Sequence, residues 1–460
     1  MRPLYKTLSA ALLATTLIAC SDTDDNNITG TAGAGVTLGN IVEVAEDNGS
    51  FTTLVAALQA SGLDAVLADE SRDFTVFAPT DAAFATLLAD LGISAADLLA
   101  SPNLTDILLY HVVADAEIDS TQAVAAAGTT VTTANTDDIG VALQGTELFI
   151  NAARVATPDV AASNGVIHVI DAVLVPTEDD ATSGTIADVA TANGSFNTLV
   201  GALGATGLDA VLADADGKFT VFAPTDAAFA KIDTSGLTND ELKDILLYHV
   251  IVGAEINAAA ATAIAGNTVT MENGDNMALS LSNTELFANL SGISLPNVDA
   301  SNGIIHAIDT VLLPPADAAA PTLNIVETAQ GNADFSTLVT ALSATSDLVS
   351  TLSDPNGDFT VFAPTNAAFN AIPAATLNAL LANPDGDLRD ILLKHVVAGS
   401  VDSVTAFTLN GTEVPTVNGE TVEIAIDSGV FTVDGAQVTT FDIVTTNGVI
   451  HVIDAVILLD

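Results

Sequence analysis

The chain has 460 residues, of which 49% are apolar, so it is long enough for about three domains that each bury a core. Its composition is strongly acidic, with 9 Lys and Arg against 58 Asp and Glu and a formal net charge of −49. Such a surface repels the phosphates of nucleic acids, which excludes nucleic-acid binding, and it attracts divalent cations nonspecifically. The single cysteine excludes a disulfide framework and a thiolate metal cage.

Residues 1–20 have the features of a targeting segment. Arg2 and Lys6 precede an apolar stretch that is too short to span a bilayer and ends in Leu-Ile-Ala-Cys at Cys20. This ending resembles the bacterial lipobox, in which the peptide is cleaved before the cysteine and the cysteine is acylated. The sequence predicts a lipoprotein signal peptide, a lipid on Cys20, and a bacterial protein anchored to a membrane in the periplasm or at the cell surface. An ordinary signal peptide is the alternative, and residues 21–37 are predicted to be a flexible tether.

Four short blocks of sequence occur three times in the same order. The blocks are FTTLVAAL, FNTLVGAL and FSTLVTAL at 51–58, 196–203 and 335–342; DFTVFAPTDAAF, KFTVFAPTDAAF and DFTVFAPTNAAF at 73–84, 218–229 and 358–369; DILLYHVV, DILLYHVI and DILLKHVV at 106–113, 244–251 and 390–397; and NGVIHVIDAVL, NGIIHAIDTVL and NGVIHVIDAVI at 164–174, 302–312 and 447–457. Repeats of this kind are structural units. We therefore predict three tandem domains over residues 38–176, 184–315 and 322–460, called domains 1, 2 and 3.

The first half of each copy has a helical pattern interrupted by one strand. In domain 1, apolar residues of the block at 51–58 recur at the i, i+3, i+4, i+7 spacing of an amphipathic helix. The β-branched and aromatic residues at 74–78 predict a strand that ends at Pro79. Thr80 is then expected to cap a following helix, and Asp81 suits the dipole of that helix.

Strands are concentrated in the second half of each copy. Asn164 and Gly165 signal a hairpin turn, and the strand after them is predicted over residues 166–174. The fold class is therefore α+β, with helices first and strands later.

The repeated blocks resemble the fasciclin (FAS1) family. TVFAPT[DN]AAF is similar to its first conserved box, NGVIHVID followed by VL to its second, and the Tyr-His pair in LLYHVV to the short motif between them. The resemblance covers nearly all of the chain beyond the tether. It implies three β-wedge domains with helices packed on the sheet. It also implies adhesion to cells, or attachment to a surface or matrix polysaccharide or protein, by a protein that is not an enzyme.

The resemblance also implies contact with a partner at the Tyr-His pairs, which are Tyr110 with His111 and Tyr248 with His249. Packing in the core is the alternative, because a tyrosine at a helix end packs easily beside leucine. The third copy has Lys394 in place of the tyrosine, which predicts weaker binding by domain 3. That lysine also suggests that the position does not need an aromatic ring.

The six histidines offer no catalytic arrangement in the sequence. His168, His306, His395 and His451 are predicted to be structural. The three strand histidines among them are expected to be buried and neutral. A helix C-terminus would favour a protonated imidazole at His111, His249 and His395. Each strand histidine precedes an aspartate by three residues, and residues three apart on a strand point to opposite faces.

No Gly-x-Ser-x-Gly elbow and no helical histidine pair for a metal is present in the sequence. We therefore expect no enzyme activity, no cofactor and no metal site. Two functions remain open: a surface adhesion or matrix-binding protein, and a non-adhesive structural lipoprotein of the envelope or periplasm.

Overall fold

The computed structural model describes residues 38–91, 93–176, 184–282, 285–315, 320–345 and 347–459. The predicted signal peptide, Cys20 and the tether lie outside these residues. Residues Leu38–Asp460 form one compact unit. Within it, each of the three copies has one seven-stranded sheet with helices, which confirms the predicted α+β class and the three tandem domains.

Domain 1 places most of its helices before most of its strands. The helices are α1 (Ile41–Asp47), α2 (Thr52–Ser61), α3 (Asp64–Leu67), α4 (Asp81–Leu91), α5 (Ala95–Leu99), α6 (Leu104–Tyr110) and α7 (Ser120–Ala125). The strands are β1 (Phe74–Pro79), β2 (Val112–Ala114), β3 (Thr129–Thr132), β4 (Asp138–Gln144), β5 (Glu147–Ile150), β6 (Ala153–Ala162) and β7 (Gly165–Ile170). The predicted strand at 74–78 and the helix after it are confirmed.

Domain 2 repeats this order of elements. The helices are α8 (Ile186–Ala192), α9 (Asn197–Thr206), α10 (Asp209–Leu212), α11 (Asp226–Phe229), α12 (Asn239–Leu247) and α13 (Ala258–Ala263). The strands are β8 (Phe219–Pro224), β9 (Val250–Val252), β10 (Asn267–Thr270), β11 (Asn276–Ser282), β12 (Glu285–Ala288), β13 (Ser291–Ala300) and β14 (Gly303–Ile308).

Domain 3 adds a 3₁₀ turn at Ala333–Phe335 and a π turn at Pro384–Leu388 to the same plan. The helices are α14 (Ile325–Gly331), α15 (Ser336–Ala344), α16 (Leu348–Leu352), α17 (Asn366–Ala371), α18 (Ala374–Ala382), α19 (Arg389–Lys394) and α20 (Ser403–Thr408). The strands are β15 (Phe359–Pro364), β16 (Val396–Ala398), β17 (Thr412–Pro415), β18 (Thr421–Asp427), β19 (Val430–Val433), β20 (Ala436–Thr445) and β21 (Gly448–Ile453).

The sheet topology brings the repeated sequence blocks together. In domain 1 the strand order is β2-β1-β7-β6-β5-β4-β3, and only β1 and β7 are parallel. The strand of the second block, β1, therefore lies between β2, which follows the Tyr-His pair, and β7, the strand of the last block. Gly165 begins β7 at φ +140, where a Cβ would lie 1.9 Å from the carbonyl oxygen of Phe74. Only glycine allows this close pairing of the two strands.

Two details differ from the sequence expectations. The strand predicted over 166–174 ends at Ile170, because the chain then leaves the sheet and the Leu174 amide donates to His111 Nε2. The Asp81 carboxylate does not serve only its own helix. It accepts from the backbone amides of Thr52 (3.2 Å) and Thr53 (2.7 Å), and so caps α2 from a different part of the chain.

The equivalent cap in domain 2 is Asp226. Hydrogen bonding from the backbone amide of Thr198, with further bonds from the side chains of Thr198 and Asn197, lowers the pKa of Asp226 to about 2. The repeated block that reads as a strand followed by a helix therefore also fixes the start of the preceding helix.

Each domain contains two apolar clusters. In domain 1 the first lies between the helices and the sheet and includes Phe51 and Leu54. The second is formed largely by the strands and includes Phe77, Tyr110 and Ile139. The Tyr-His motif therefore connects the helical layer to the core of the sheet.

Candidate functional site

The tyrosine of the Tyr-His motif is the last residue of α6 and points into the core. Tyr110 is 3% exposed. Its hydroxyl donates to the carbonyl oxygen of Asp138 at 2.9 Å and accepts from Asn151 Nδ2 at 2.9 Å. Burial raises the pKa of Tyr110 to about 12, so the hydroxyl keeps its proton and donates.

Domain 2 repeats this arrangement with the same atoms. The Tyr248 hydroxyl donates to the carbonyl oxygen of Asn276 at 2.7 Å and accepts from Asn289 Nδ2 at 3.0 Å. Tyr248 is fully buried, and burial raises its pKa to about 12. The Tyr248 hydroxyl therefore both donates and accepts a hydrogen bond inside the protein.

Domain 3 uses an ion pair at the same place. Lys394 is fully buried, and its Nζ lies 3.2 Å from Asp434 Oδ2 and 3.5 Å from Glu420 Oε2. Asp434 occupies the position of Asn151 and Asn289, directly after the equivalent strand. The replacement of tyrosine by lysine is thus accompanied by a replacement of asparagine by aspartate.

These positions favour the packing alternative for the tyrosines. A partner would contact the ring of Tyr110 or Tyr248 only if the side chain left the core. Partner contact at the Tyr-His pairs stays a prediction that this geometry does not support. The lysine of domain 3 occupies the same buried site, so it does not mark a surface difference between the domains.

The histidine of the Tyr-His motif is buried and neutral. His111 Nδ1 donates to the carbonyl oxygen of Ile107 at 2.8 Å, and Nε2 accepts from the Leu174 amide at 2.9 Å. These two bonds fix the tautomer with the proton on Nδ1. Desolvation lowers the pKa of His111 to about 4, and it does the same for His249 and His395. The expectation of a protonated imidazole is wrong, because desolvation outweighs the attraction of the helix end.

The strand histidines are also buried, with the other tautomer. His168 Nε2 donates to the carbonyl oxygen of Ile118 at 2.7 Å, and Nδ1 faces the backbone amide of Asp159 at 3.4 Å. The ring stacks on Phe77 of the neighbouring parallel strand, with centroids 5.6 Å apart. His306 and His451 make the same bonds. Desolvation lowers the pKa of His306 to about 4.

The fasciclin domain model matches the chain at residues 49–176, 194–314 and 333–459, well over half of its length. The chain belongs to the fasciclin domain family. It is 29% identical over 425 residues to transforming growth factor-beta-induced protein ig-h3 of Sus scrofa, covering 91% of this chain and 57% of that protein. It is 37% identical over 141 residues to the cell surface glycolipoprotein MPB83 of Mycobacterium bovis, covering 28% of this chain and 61% of that protein. The chain therefore spans less than two thirds of either relative.

Among solved structures, a FAS1 domain pair from the insect cell adhesion molecule fasciclin I aligns with 59% of this chain and 95% of its own. The TM-score is 0.28 and the sequence identity is 19%.

In domains 1 and 3 one cluster contains residue types found in hydrolase triads. In domain 1 the Ser120 hydroxyl donates to the Asp159 carboxylate, which also accepts from the Ser120 amide at 2.7 Å. His168 meets only the backbone amide of Asp159, and its Nε2 is committed to Ile118. The imidazole therefore cannot take the serine proton, and the Asp159 carboxylate instead binds the first backbone amide of α7, beside the N-cap residue Asp119. Domain 2 has Ala258 at the serine position.

The surface of the second fasciclin domain carries an apolar groove of about 240 Å³. Its lining includes Leu203, Leu208, Val211, Leu247, Val250 and Val252, with Lys243 and Glu272 as charged residues. Val211 and Val252 are each 47% exposed. Leu247 precedes Tyr248 directly, so the groove lies on the outer side of the helix whose last turn leads into the buried Tyr-His pair. Sequence reasoning missed this groove, because the residues that line it come from separate helices and strands.

The described ranges contain no group of three or more His, Cys, Asp or Glu side chains placed to hold a metal ion. Within the same ranges, no helix combines the length and apolar character needed to cross a membrane.

Proposed function

We propose that this protein is a lipid-anchored surface protein of the bacterial envelope that mediates adhesion or matrix binding through its fasciclin domains. The observation that carries this proposal is the exposed apolar groove of domain 2. Two half-exposed valines in a concave apolar surface are a feature of binding sites. Family membership and the relative described as a cell surface glycolipoprotein support a role at the cell surface.

The chemistry of the groove favours a protein of the surface or matrix as partner over a polysaccharide. Its lining consists of aliphatic side chains with one lysine and one glutamate. Such a lining offers few hydrogen bonds to sugar hydroxyl groups but accommodates apolar side chains. We propose no catalytic activity and no cofactor.

The test is attachment of cells that carry V211D/V252D in the full chain, compared with wild-type and deletion cells. We expect the double variant to lose most of the attachment that deletion removes, because two carboxylates would be desolvated in the groove. The matched control is V430D/V444D in domain 3, which changes two valines that are 39% and 46% exposed. Equal loss in both variants, or no loss in either, would refute the groove as the adhesive site.

The anchor is tested separately through Cys20. We expect Cys20→Ala to prevent acylation and to leave an uncleaved precursor or a protein released from membranes. Detergent-phase partitioning measures this directly, and unchanged partitioning would contradict the lipid anchor.

A structural role in the envelope is the second candidate, and the junction of the three domains favours it. The carbonyl oxygen of Leu281 in domain 2 accepts from Gln144 Nε2 of domain 1 and from Asn410 Nδ2 of domain 3, the latter at 2.7 Å. The Leu281 amide donates to Gln144 Oε1 at 2.8 Å. Three domains held together by these hydrogen bonds suit a rigid spacer. If cells that lack the protein attach as well as wild-type cells, this structural role is favoured.

A further inference from the structure

Neighbouring domains are joined by one repeated contact. Helix α13 of domain 2 packs on strand β4 of domain 1, and helix α20 of domain 3 packs on strand β11 of domain 2. At the first contact a Cβ on Gly140 would lie 2.0 Å from the carbonyl oxygen of Ala259, so the strand must present almost no side chain there. At the second contact Ala278 joins the same apolar cluster as Phe407.

The outward side of this strand differs at the end of the series. The three outward positions are Gly140, Ala142 and Gln144 in domain 1, Ala278, Ser280 and Ser282 in domain 2, and Glu423, Ala425 and Asp427 in domain 3. The first and second positions are buried in domains 1 and 2, and the third is half-buried. In domain 3 the first and third positions, Glu423 and Asp427, are exposed. We call this side of β18, defined by Glu423, Ala425 and Asp427, the terminal face.

The other end of the series leaves the docking helix uncovered. In α7 of domain 1, Thr121, Val124 and Ala125 are exposed, and Val124 is 42% exposed. The residues at the position of Val124 in the docked helices are Thr262 and Phe407, and both are buried. The described structure therefore has one docking helix without a strand and one strand face without a helix.

We propose that α7 is a docking surface for the outward strand face of a fasciclin domain from another chain, and that Glu423 and Asp427 keep the terminal face from filling this role. The partner would present glycine, alanine or serine at the first two of the three outward positions, as domains 1 and 2 do. This inference does not depend on the adhesive function proposed above.

Size and charge both exclude the terminal face as a partner for α7. A helix docked there would cover the Glu423 carboxylate without a counter-ion, and an unpaired buried charge is strongly destabilising. The approach is also repulsive, because Asp119 caps the N-terminus of α7. The terminal face opens on a groove of about 430 Å³ whose other wall includes Glu147 of domain 1, which adds to the negative potential.

The test converts the terminal face into the face of domain 2. The full-chain variant E423A/D427S carries at those two positions the residues of Ala278 and Ser282. We expect it to associate head to tail, with a weight-average mass that rises above the monomer in sedimentation velocity as concentration increases, while the wild type stays monomeric. Within one chain the contact is helped by effective concentrations of the order of 1 mM, so the series extends to about that concentration.

Two controls decide the interpretation. E423A/D427S/V124E restores a carboxylate at the contact from the exposed side of α7, and we expect it to return to the monomer. E70A/D73S removes the same two charges from an exposed loop of domain 1, and it should stay monomeric. A monomeric E423A/D427S, an association that V124E does not reverse, or equal association in E70A/D73S would each overturn the proposal.

Discussion

Domains 1 and 2 fill the buried end of the Tyr-His helix with a neutral tyrosine-asparagine pair, whereas domain 3 fills it with a lysine between two carboxylates. The acid at the position of Glu420 is present in all three domains, as Asp137 and Asp275 in the first two. Those aspartates contribute to the raised pKa values of Tyr110 and Tyr248. Exchanging tyrosine for lysine therefore needed one further change, from asparagine to aspartate.

The comparison indicates that the two residues of the pair change together: lysine replaces tyrosine where aspartate replaces asparagine. Taken alone, Lys394 suggests that the position accepts a lysine without cost. With Asp434 beside it, the lysine shows only that a buried ammonium is accepted where a carboxylate faces it. A buried charge without such a partner is far more costly than the pair itself.

The largest expected effect comes from placing the lysine without its partner. Tyr248→Lys puts an ammonium into a fully buried site where Asp275 stands at the position of Glu420 but Asn289 replaces the carboxylate of Asp434, and we expect the stability of domain 2 to fall by about 3–5 kcal/mol. Domain-resolved hydrogen exchange of the full chain measures this loss.

The matched control is Tyr248→Lys with Asn289→Asp, which recreates the arrangement of domain 3. We expect the second change to recover most of the loss. Unchanged exchange in the single variant would show that the site tolerates lysine alone, and the pairing argument would then be wrong.

The next effect is a pH dependence of stability that all three domains share, because each has the buried histidine of the Tyr-His or Lys-His motif. The pKa of His111, His249 and His395 is about 4 in the folded protein, below the ordinary value of 6.5. Between these values the unfolded chain binds more protons, so stability rises with pH. The contribution of each neutral histidine to the free energy of unfolding is fully present above about pH 6.5. It is lost as the pH falls towards 4, by roughly 3 kcal/mol for each histidine.

Calorimetry between pH 7 and 5 measures this effect while most carboxylates remain ionised. We expect the melting temperatures of all three domains to fall together. A constant or rising melting temperature in this range would show that protonation of these histidines is not linked to unfolding.

The sequence predicted the parts of the fold that depend on local pattern. The strand at Phe74–Pro79, the helix capped by Thr80 and the repeated order of blocks depend on propensity and periodicity, and the structure shows them. The long-range role of Asp81 was not predictable in this way, because its hydrogen bonds reach a helix start that precedes it by almost thirty residues.

The candidate site was less accessible to sequence reasoning for the same reason. A tyrosine at the end of an apolar helix reads equally well as core or contact, and the choice depends on Asn151, which comes from a distant turn. Comparison of the copies held a usable signal, since Asn151, Asn289 and Asp434 vary together with Tyr110, Tyr248 and Lys394. Protonation of His111 could not be predicted, because burial, which decides it, is a property of the packed domain.

The reverse exchange in domain 3 should have a small effect. Lys394→Tyr with Asp434→Asn recreates the pair of domains 1 and 2. We expect the stability of domain 3 to rise by no more than about 1 kcal/mol, because replacing a buried ion pair by a well-packed pair is often neutral or stabilising. Chemical denaturation followed by hydrogen exchange in domain 3 measures the change. Asp434→Asn alone is the control, because it leaves Lys394 with Glu420 only and should be clearly destabilising. A double variant as unstable as that control would contradict the pairing.

The smallest effect separates the two kinds of pair through salt. A formal net charge of −49 makes the folded chain repel itself, so added salt should stabilise every domain by screening. In domain 3 salt also weakens the attraction of Lys394 to Asp434 and Glu420, whose side chains are 32% and 40% exposed. Domains 1 and 2 have no charge attraction to lose at this site. We therefore expect domain 3 to gain less than the other two between 0.05 and 0.5 M salt, by a few tenths of a kcal/mol. The difference should vanish in Lys394→Tyr with Asp434→Asn, and a difference that persists there would assign it to other charges of domain 3.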